Sequence, residues 1–497
     1  MRAFAAALVL TVVFAGCNGK RPSASAPTGP PRPGGVLRVA ATDITSLDPM
    51  LATSPSELEV ATMLFTPLTT WDPATLAAQP GLASSWSATP DQKTWTFTLR
   101  AGAVFSDGHP VTARDVAFTY ARVVSKGSGS PMAPLLFDFV RVTPMGSTVQ
   151  IRLSTALAIL PDILGNPALG IVEEAAPPTG ATPIGSGPFA VSGRASGNMT
   201  LTRSQGSGAL LDGIELAMFQ DDAAAYSAFR ARAIDWSPVP PLEAARAASV
   251  YRQPVSRPLD AELFYGFNLR DPVVADVRFR QAVVHAVNRA GIAAGAYRGT
   301  ATPLMGVVPA STACGSACSY DPAQARAALA NLFGPAGPPA LTIDYDQGAT
   351  GDAVVAALDR DLRAVGVFTN RRAAPAEAYI PNPSAGGDEL LREGWIAKYP
   401  GYDGVLAPLF LSGNPDNLTG FASPQIDAAI RAARAEPDPD RRAAAYRDVE
   451  ARIMAQAPVV PLVQFETHTV SGPNVGGLVV NGMGLWDPTT VWLARPR

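Results

Sequence analysis

The stretch Trp95-Thr96-Phe97-Thr98-Leu99-Arg100-Ala101-Gly102-Ala103-Val104-Phe105-Ser106-Asp107-Gly108-His109-Pro110-Val111-Thr112-Ala113-Arg114-Asp115-Val116 holds a strand, a turn and a helix start in 22 residues. Trp95 to Arg100 alternates apolar and polar side chains, the period of a half-buried strand. Asp107-Gly108 has the chemistry of a tight turn. Thr112-Ala113-Arg114-Asp115 is a capping box, with Thr112 as the cap and Asp115 at the third helical position. The helix it opens is expected to run to about Val124.

The same alternation of strands and helices extends in both directions. Gly34-Gly35-Val36-Leu37-Arg38-Val39-Ala40 reads as a strand after a glycine hinge. Asp276 begins a helix with Phe279, Val283, Ala286 and Val287 on one face. Asp321-Pro322 places a cap before a first-turn proline, and that helix stops near Gly334-Pro335. Late helices start at Ser423-Pro424 and at Pro439, the second reaching about Ala457. Strands alternating with helices make this an α/β chain.

At 497 residues the chain has room for about three domains. Hydrophobic residues make up 47% and charged residues 16%, enough apolar mass for several cores. Lys and Arg total 39 against 42 Asp and Glu, a net charge of −3. That balance lacks the basic domain or stripe that nucleic acid requires. Only Lys20, Lys93, Lys126 and Lys398 are lysines; every other basic residue is arginine. Such a bias records codon usage first, but it singles out each lysine for inspection.

Arg2 followed by an apolar run from Ala3 to Gly16 reads as a secretory signal, too short to span a bilayer. Phe14-Ala15-Gly16-Cys17 resembles a lipobox, so residues 1–16 are expected to be cleaved and Cys17 to carry lipid. Residues 17–34, rich in Ser, Pro, Ala and Gly, form a flexible tether. The chain is therefore expected outside the cell membrane or on its periplasmic side, held to the membrane by that lipid only. Cys314 and Cys318 remain as an even pair. In an exported protein a small local disulfide is favoured over free thiols or a metal site. Zinc would need two further ligands, and His109, His285 and His468 are widely scattered.

No nucleophile elbow, zinc helix or phosphate-binding lysine motif occurs. Three histidines are few for acid–base chemistry near neutral pH. The adjacent or near-adjacent carboxylates Glu57/Glu59, Glu173/Glu174 and Asp221/Asp222 read as solvated groups or caps. No catalytic residue, metal or cofactor is expected.

The opening stretch, with Ser84-Ser85-Trp86 before it, resembles the signature of the family-5 extracellular solute-binding proteins, the peptide/nickel group served by ABC importers. Other pieces follow in the family's order. They are Ser46-Leu47-Asp48-Pro49, Pro183-Ile184-Gly185-Ser186-Gly187-Pro188-Phe189, Phe267-Asn268, Asp276-Val277-Arg278-Phe279-Arg280-Gln281-Ala282 and Tyr320-Asp321-Pro322-Ala323-Gln324-Ala325. Gly394-Trp395-Ile396-Ala397 and Pro458 to Leu462 complete the set.

The resemblance implies a two-lobe periplasmic-binding-protein-like α/β fold (class II, cluster C) with an extra inserted subdomain, closing on a ligand like a flytrap. Lobe I is expected at 35–68, 182–265 and 463–497, the inserted subdomain at 69–181 and lobe II at 266–462. The crossings are expected near Phe264–Asn268 and Leu462–Glu466. Function follows as capture of a small solute, peptide or peptide-like, for delivery to an ABC permease and ATPase complex, by a monomer. A sensor or cell-envelope factor built on the same flytrap is the alternative.

In peptide-binding relatives a W-x-x-D motif supplies an aspartate to the peptide's amino terminus. Here it reads Trp395-Ile396-Ala397-Lys398. A lysine facing an ammonium would combine like-charge repulsion with desolvation. With Arg392, which aligns with a family arginine, it favours an anionic ligand or one without a free amine. Further lining candidates by position are Thr53, Ser54 and Pro55, Trp236 and Ser237, Phe264 and Tyr265, and Gln464 and Phe465. No histidine falls in these segments, which argues against the nickel branch.

Overall fold

The computed structural model describes residues 29–495, apart from 179, 181, 196, 252–253, 310, 376–378, 380 and 382–387. The expected signal sequence, the lipid-bearing Cys17 and most of the tether lie outside the described residues.

Among the described residues, eleven strands make one sheet that runs through both halves of the molecule. Its first half holds Val36–Ala41, Gly213–Met218, Asn198–Arg203, Phe189–Ala195 and Trp236–Pro238. Its second half holds Leu341–Gln347, Thr369–Pro375, Leu390–Ile396 and Ala301–Pro303. Two long antiparallel strands, Pro254–Phe267 and Val459–Ser471, join the halves. Their pairing breaks register between Pro258, opposite Glu466, and Glu262, opposite Gln464. More residues pass on the first strand than on the second, so the ladder bulges where the chain crosses.

Each half has its own core. Leu37, Val39, Ile214 and Leu216 pack with Phe189, Trp236 and Trp486 in the first. In the second, Leu263, Tyr265 and Phe267 face one cluster, while Phe264 faces the other with Leu406, Phe410 and Ile453. Phe264–Phe267 therefore already lies inside the second half, paired with Glu393–Leu390. The first crossing comes earlier than Phe264–Asn268, at the bulge that follows Pro258.

The opening stretch builds a separate unit. Its four strands are Ala83–Ala88, Thr94–Leu99, Thr148–Leu153 and Phe139–Met145, in that spatial order. Trp95 and Phe97 are buried, as the alternation requires. The capping box forms: the Thr112 N–H and hydroxyl both donate to Asp115 Oδ2, at 2.8 and 2.6 Å. The helix Ala113–Val124 then buries Val116, Tyr120 and Val123 against the sheet. Cys314 and Cys318 form a disulfide with Cα atoms 5.7 Å apart, within the ordinary range.

Contacts tie this unit to the second half. Tyr399 is buried in its core. Asn166 Nδ2 donates to the Lys398 carbonyl at 2.6 Å, and the Ala158 N–H to the Arg434 carbonyl at 2.7 Å.

Candidate functional site

Strand direction locates the site. Val36–Ala41, Gly213–Met218 and Trp236–Pro238 run parallel. Trp236 lies opposite Ser471 and Pro238 opposite Thr469, antiparallel to the second crossing strand. Their carboxyl ends therefore point along the crossing strands toward the second half. There, Leu341–Gln347 runs parallel to Thr369–Pro375 and Leu390–Ile396. Leu390 lies opposite Phe267 and Ile396 opposite Ala261, so these carboxyl ends point back toward the first half. Two carboxyl edges thus face one crevice, the position where open α/β sheets bind ligands.

Trp395 to Lys398 emerges at that edge. The Trp395 indole N–H donates to the Gly404 carbonyl at 2.6 Å, which fixes the ring. Lys398 Nζ lies 5.5 Å from the centre of that ring, in cation–π range. Among the described residues it has no ionic partner. Asp403, the next carboxylate along the chain, is held by Arg434 at 3.2 Å and by the Tyr399 and Tyr446 hydroxyls at 2.7 and 2.6 Å. Ile396 is 73% exposed, a large apolar side chain standing in the crevice mouth.

Arg392 is not a free cation. Its Nε is 2.8 Å from Asp346 Oδ1, at the carboxyl end of the neighbouring strand. Tyr379 donates its hydroxyl to the Arg392 carbonyl at 2.9 Å. Tyr297 stands close to the same pair, and burial pushes its phenol up to about 12, so it remains a neutral donor. Its ring meets Phe465 edge-on at 5.8 Å. Asp346, Tyr297 and Tyr379 come from three distant segments, and no spacing in the sequence links them.

The first-half edge is acidic. Asp43 follows Val36–Ala41, and Asp221 caps the helix Asp222–Arg230. Burial raises the Asp222 carboxyl above its ordinary range, with the charges of Asp221 and Asp43 adding to it. Glu59 is half-buried on the helix Pro55–Leu64. Burial pushes its carboxyl up to about 8; the Trp486 indole N–H pulls the other way and Asp222 adds to the rise. Glu59 and its neighbour Glu57 therefore differ. For Glu57 burial is outweighed by hydrogen bonds from Thr45, Thr53 and Ser54, which hold it down at about 2.

Those bonds define what the other lining candidates do. Ser54 caps the helix in a full capping box with Glu57. The Thr53 N–H donates to Glu57 Oε2 at 2.9 Å, and Pro55 occupies the first turn. All three sit at the crevice edge with Thr53 and Pro55 exposed. Trp236 and Ser237 are buried in the first half, the serine hydroxyl bonded to its neighbour's carbonyl at 2.7 Å. Phe264 and Tyr265 are each 1% exposed and belong to the second-half cores. Gln464 donates to the Leu259 carbonyl at 2.9 Å across the crossing. The structure thus brings Trp395, Ile396, Lys398 and Arg392 to one edge and Thr53, Ser54 and Pro55 to the other. It packs Trp236, Ser237, Phe264 and Tyr265 away. A cavity of about 480 Å³ is lined by Thr66, Trp71, Arg100, Gln205 and Asp487, and none of its lining comes from the second half.

Residues 77–417 match the family model of the bacterial extracellular solute-binding proteins, family 5, middle region. The glutathione-binding protein GsiB of Salmonella typhimurium is 24% identical over 469 residues, 89% of this chain and 91% of that protein. The unliganded open form of MppA, a periplasmic murein tripeptide binding protein, has a TM-score of 0.81 at 22% identity, covering 94% of this chain and 99% of that one. The ABC transporter-associated periplasmic binding protein DppA from Helicobacter pylori, in complex with peptide STSA, gives 0.75 at 21%, covering 93% and 99%.

Proposed function

Because the chain belongs to the family-5 bacterial extracellular solute-binding proteins, we propose that it captures a short, acidic peptide or peptide-like solute between its two lobes. It then delivers that solute unaltered to an ABC permease and ATPase complex. In this reading the protein is exported and monomeric, Cys17 carries the lipid anchor, and lobe I comprises 35–68, 182–258 and 466–497, bounded by the bulge that follows Pro258. The insertion at 69–181 serves as scaffold.

The observation that carries the reading is Lys398 at the carboxyl edge of Leu390–Ile396, stacked on Trp395 and without an ionic partner among the described residues. A cation on an aromatic face, at a crevice where Ile396 awaits cover, suits a carboxylate on an otherwise amphipathic ligand. Arg392, neutralised by Asp346, contributes shape and hydrogen bonds more than charge. Asp43 and Asp222 at the opposite edge supply acceptors for the ligand's amide or ammonium donors, and Glu59, protonated below about 8, offers both a donor and an acceptor. Similarity to a protein named for glutathione, a tripeptide with two carboxylates, points the same way.

Calorimetry with glutathione and with its carboxyl-amidated form tests the charge assignment. The acid form is expected to bind at least tenfold more tightly. Equal affinities, or tighter binding of the amide, would remove Lys398 from carboxylate recognition.

A further inference from the structure

At the edge of the four-stranded unit, Asp107 and His109 stand against Glu173. His109 Nδ1 lies 2.9 Å from Asp107 Oδ2 and 2.9 Å from Glu173 Oε1. One imidazole nitrogen carries one proton, so it makes one full hydrogen bond and leaves the second carboxylate oxygen facing it. Glu173 is 7% exposed, and its Oε2 is buried with no hydrogen-bond partner among the described residues. A buried carboxylate oxygen without a donor is costly unless a cation meets it.

We propose that Asp107, His109 and Glu173 form a site for a divalent cation of the zinc class, outside the ligand crevice. The three donor atoms lie within 4.8 Å of one another. Metal–ligand bonds of about 2.1 Å in a tetrahedral shell place neighbouring donors about 3.4 Å apart. His109 keeps 2.9 Å to both carboxylates, so the cluster is gathered tightly enough that a small opening admits the ion. One imidazole with two carboxylates suits Zn²⁺ and its first-row neighbours, with water completing the shell on the exposed side of Asp107 and His109.

The donors are held before any ion arrives. Asp107 Oδ1 accepts the His109 N–H at 3.1 Å, which closes the turn. The Ser106 N–H donates to the Gly185 carbonyl at 2.8 Å, and Val172 forms a β-bridge with Gly185. On the other side of Glu173, the Glu174 N–H donates to Asp115 Oδ1 at 2.9 Å. The nearby Arg114 is engaged with Glu174 at 3.2 Å, leaving Glu173 to the ion. Binding exchanges the His109 Nδ1 proton for the metal, so affinity falls in acid.

The test is calorimetry of Zn²⁺ into tag-free, chelator-stripped protein at neutral pH. One Zn²⁺ per chain is expected, with affinity reduced at least tenfold in His109→Ala and in Asp107→Asn. Far-UV circular dichroism of the two metal-free variants, matching that of the parent, serves as the folding control. The thermal midpoint gained with Zn²⁺ in the parent should be absent in His109→Ala. Absence of one-to-one binding below about 100 μM, or binding unaltered in His109→Ala, would overturn the site.

Discussion

Lys398 Nζ sits 5.5 Å above the Trp395 ring, while the Trp395 indole N–H is anchored 2.6 Å from the Gly404 carbonyl. The aromatic platform is thus fixed and the ammonium rests on its face. Cation–π stacking of this kind contributes about 0.5–1 kcal/mol, enough to orient a lysine but not to neutralise it. That charge, without an ionic partner among the described residues, is the one the proposed function gives to the ligand.

Lys398→Asp should therefore reverse the preference of the crevice. Loss of a charge-assisted hydrogen bond costs about 2 kcal/mol, roughly thirtyfold in affinity for an acidic peptide. Peptides with a free amine and an amidated carboxyl end should gain. Calorimetry on both ligand types reads the switch; unchanged affinity for both would take Lys398 out of the site.

Asp403 is 2% exposed and gathers Arg434, Tyr399 and Tyr446 on one carboxylate. Tyr399 at the same time plugs the core of the four-stranded unit. Asp403→Asn leaves the Arg434 charge without its anion and should cost about 3 kcal/mol. A denaturant midpoint equal to that of the parent would show the network to be dispensable.

Glu393 is 5% exposed, and burial pushes its carboxyl from 4.5 up to about 8. The folded chain then holds a proton that the unfolded chain gives up, across the interval from about 4.5 to about 8. Stability falls as pH rises through that window and returns in acid. Glu393→Gln should flatten this slope and stabilise the protein at pH 8 by on the order of 3 kcal/mol. Chemical denaturation at several pH values checks it, and parallel slopes for parent and variant would contradict it. Glu262, at the crossing and 0% exposed, is driven the same way by burial and by the charges of Asp260 and Glu450.

The Cys314–Cys318 disulfide closes a loop with a sequence separation of only 4. Its removal by a double Cys→Ser change should cost about 2 kcal/mol, the low end for disulfides, because little chain is constrained. Melting of the double variant without altered ligand affinity is the expected result.

Much of this was legible along the chain, and the limits have physical causes. The Trp95–Leu99 alternation and the Thr112 capping box depend on neighbours in sequence, and both form as read. The crossing strand Pro254–Phe267 was harder to bound. Pro258 interrupts its pattern, and beyond the bulge Leu263, Tyr265 and Phe267 face one core while Phe264 faces another. Trp236, Phe264 and Tyr265 have the aromatic character of pocket residues, but their strands send them into cores. Thr53 and Ser54 could serve a ligand, yet Glu57 claims both. Glu57 and Glu173 look like surface acids in the sequence, and only the fold reveals how little water reaches them.

The most direct test of the central claim is native mass spectrometry of the refolded, ligand-free protein offered a mixture of short peptides, amino acids and sugars. One acidic peptide-like molecule should be retained per chain, and lost when Trp395 is changed to Ala. Retention of a sugar, or of nothing, would contradict the account.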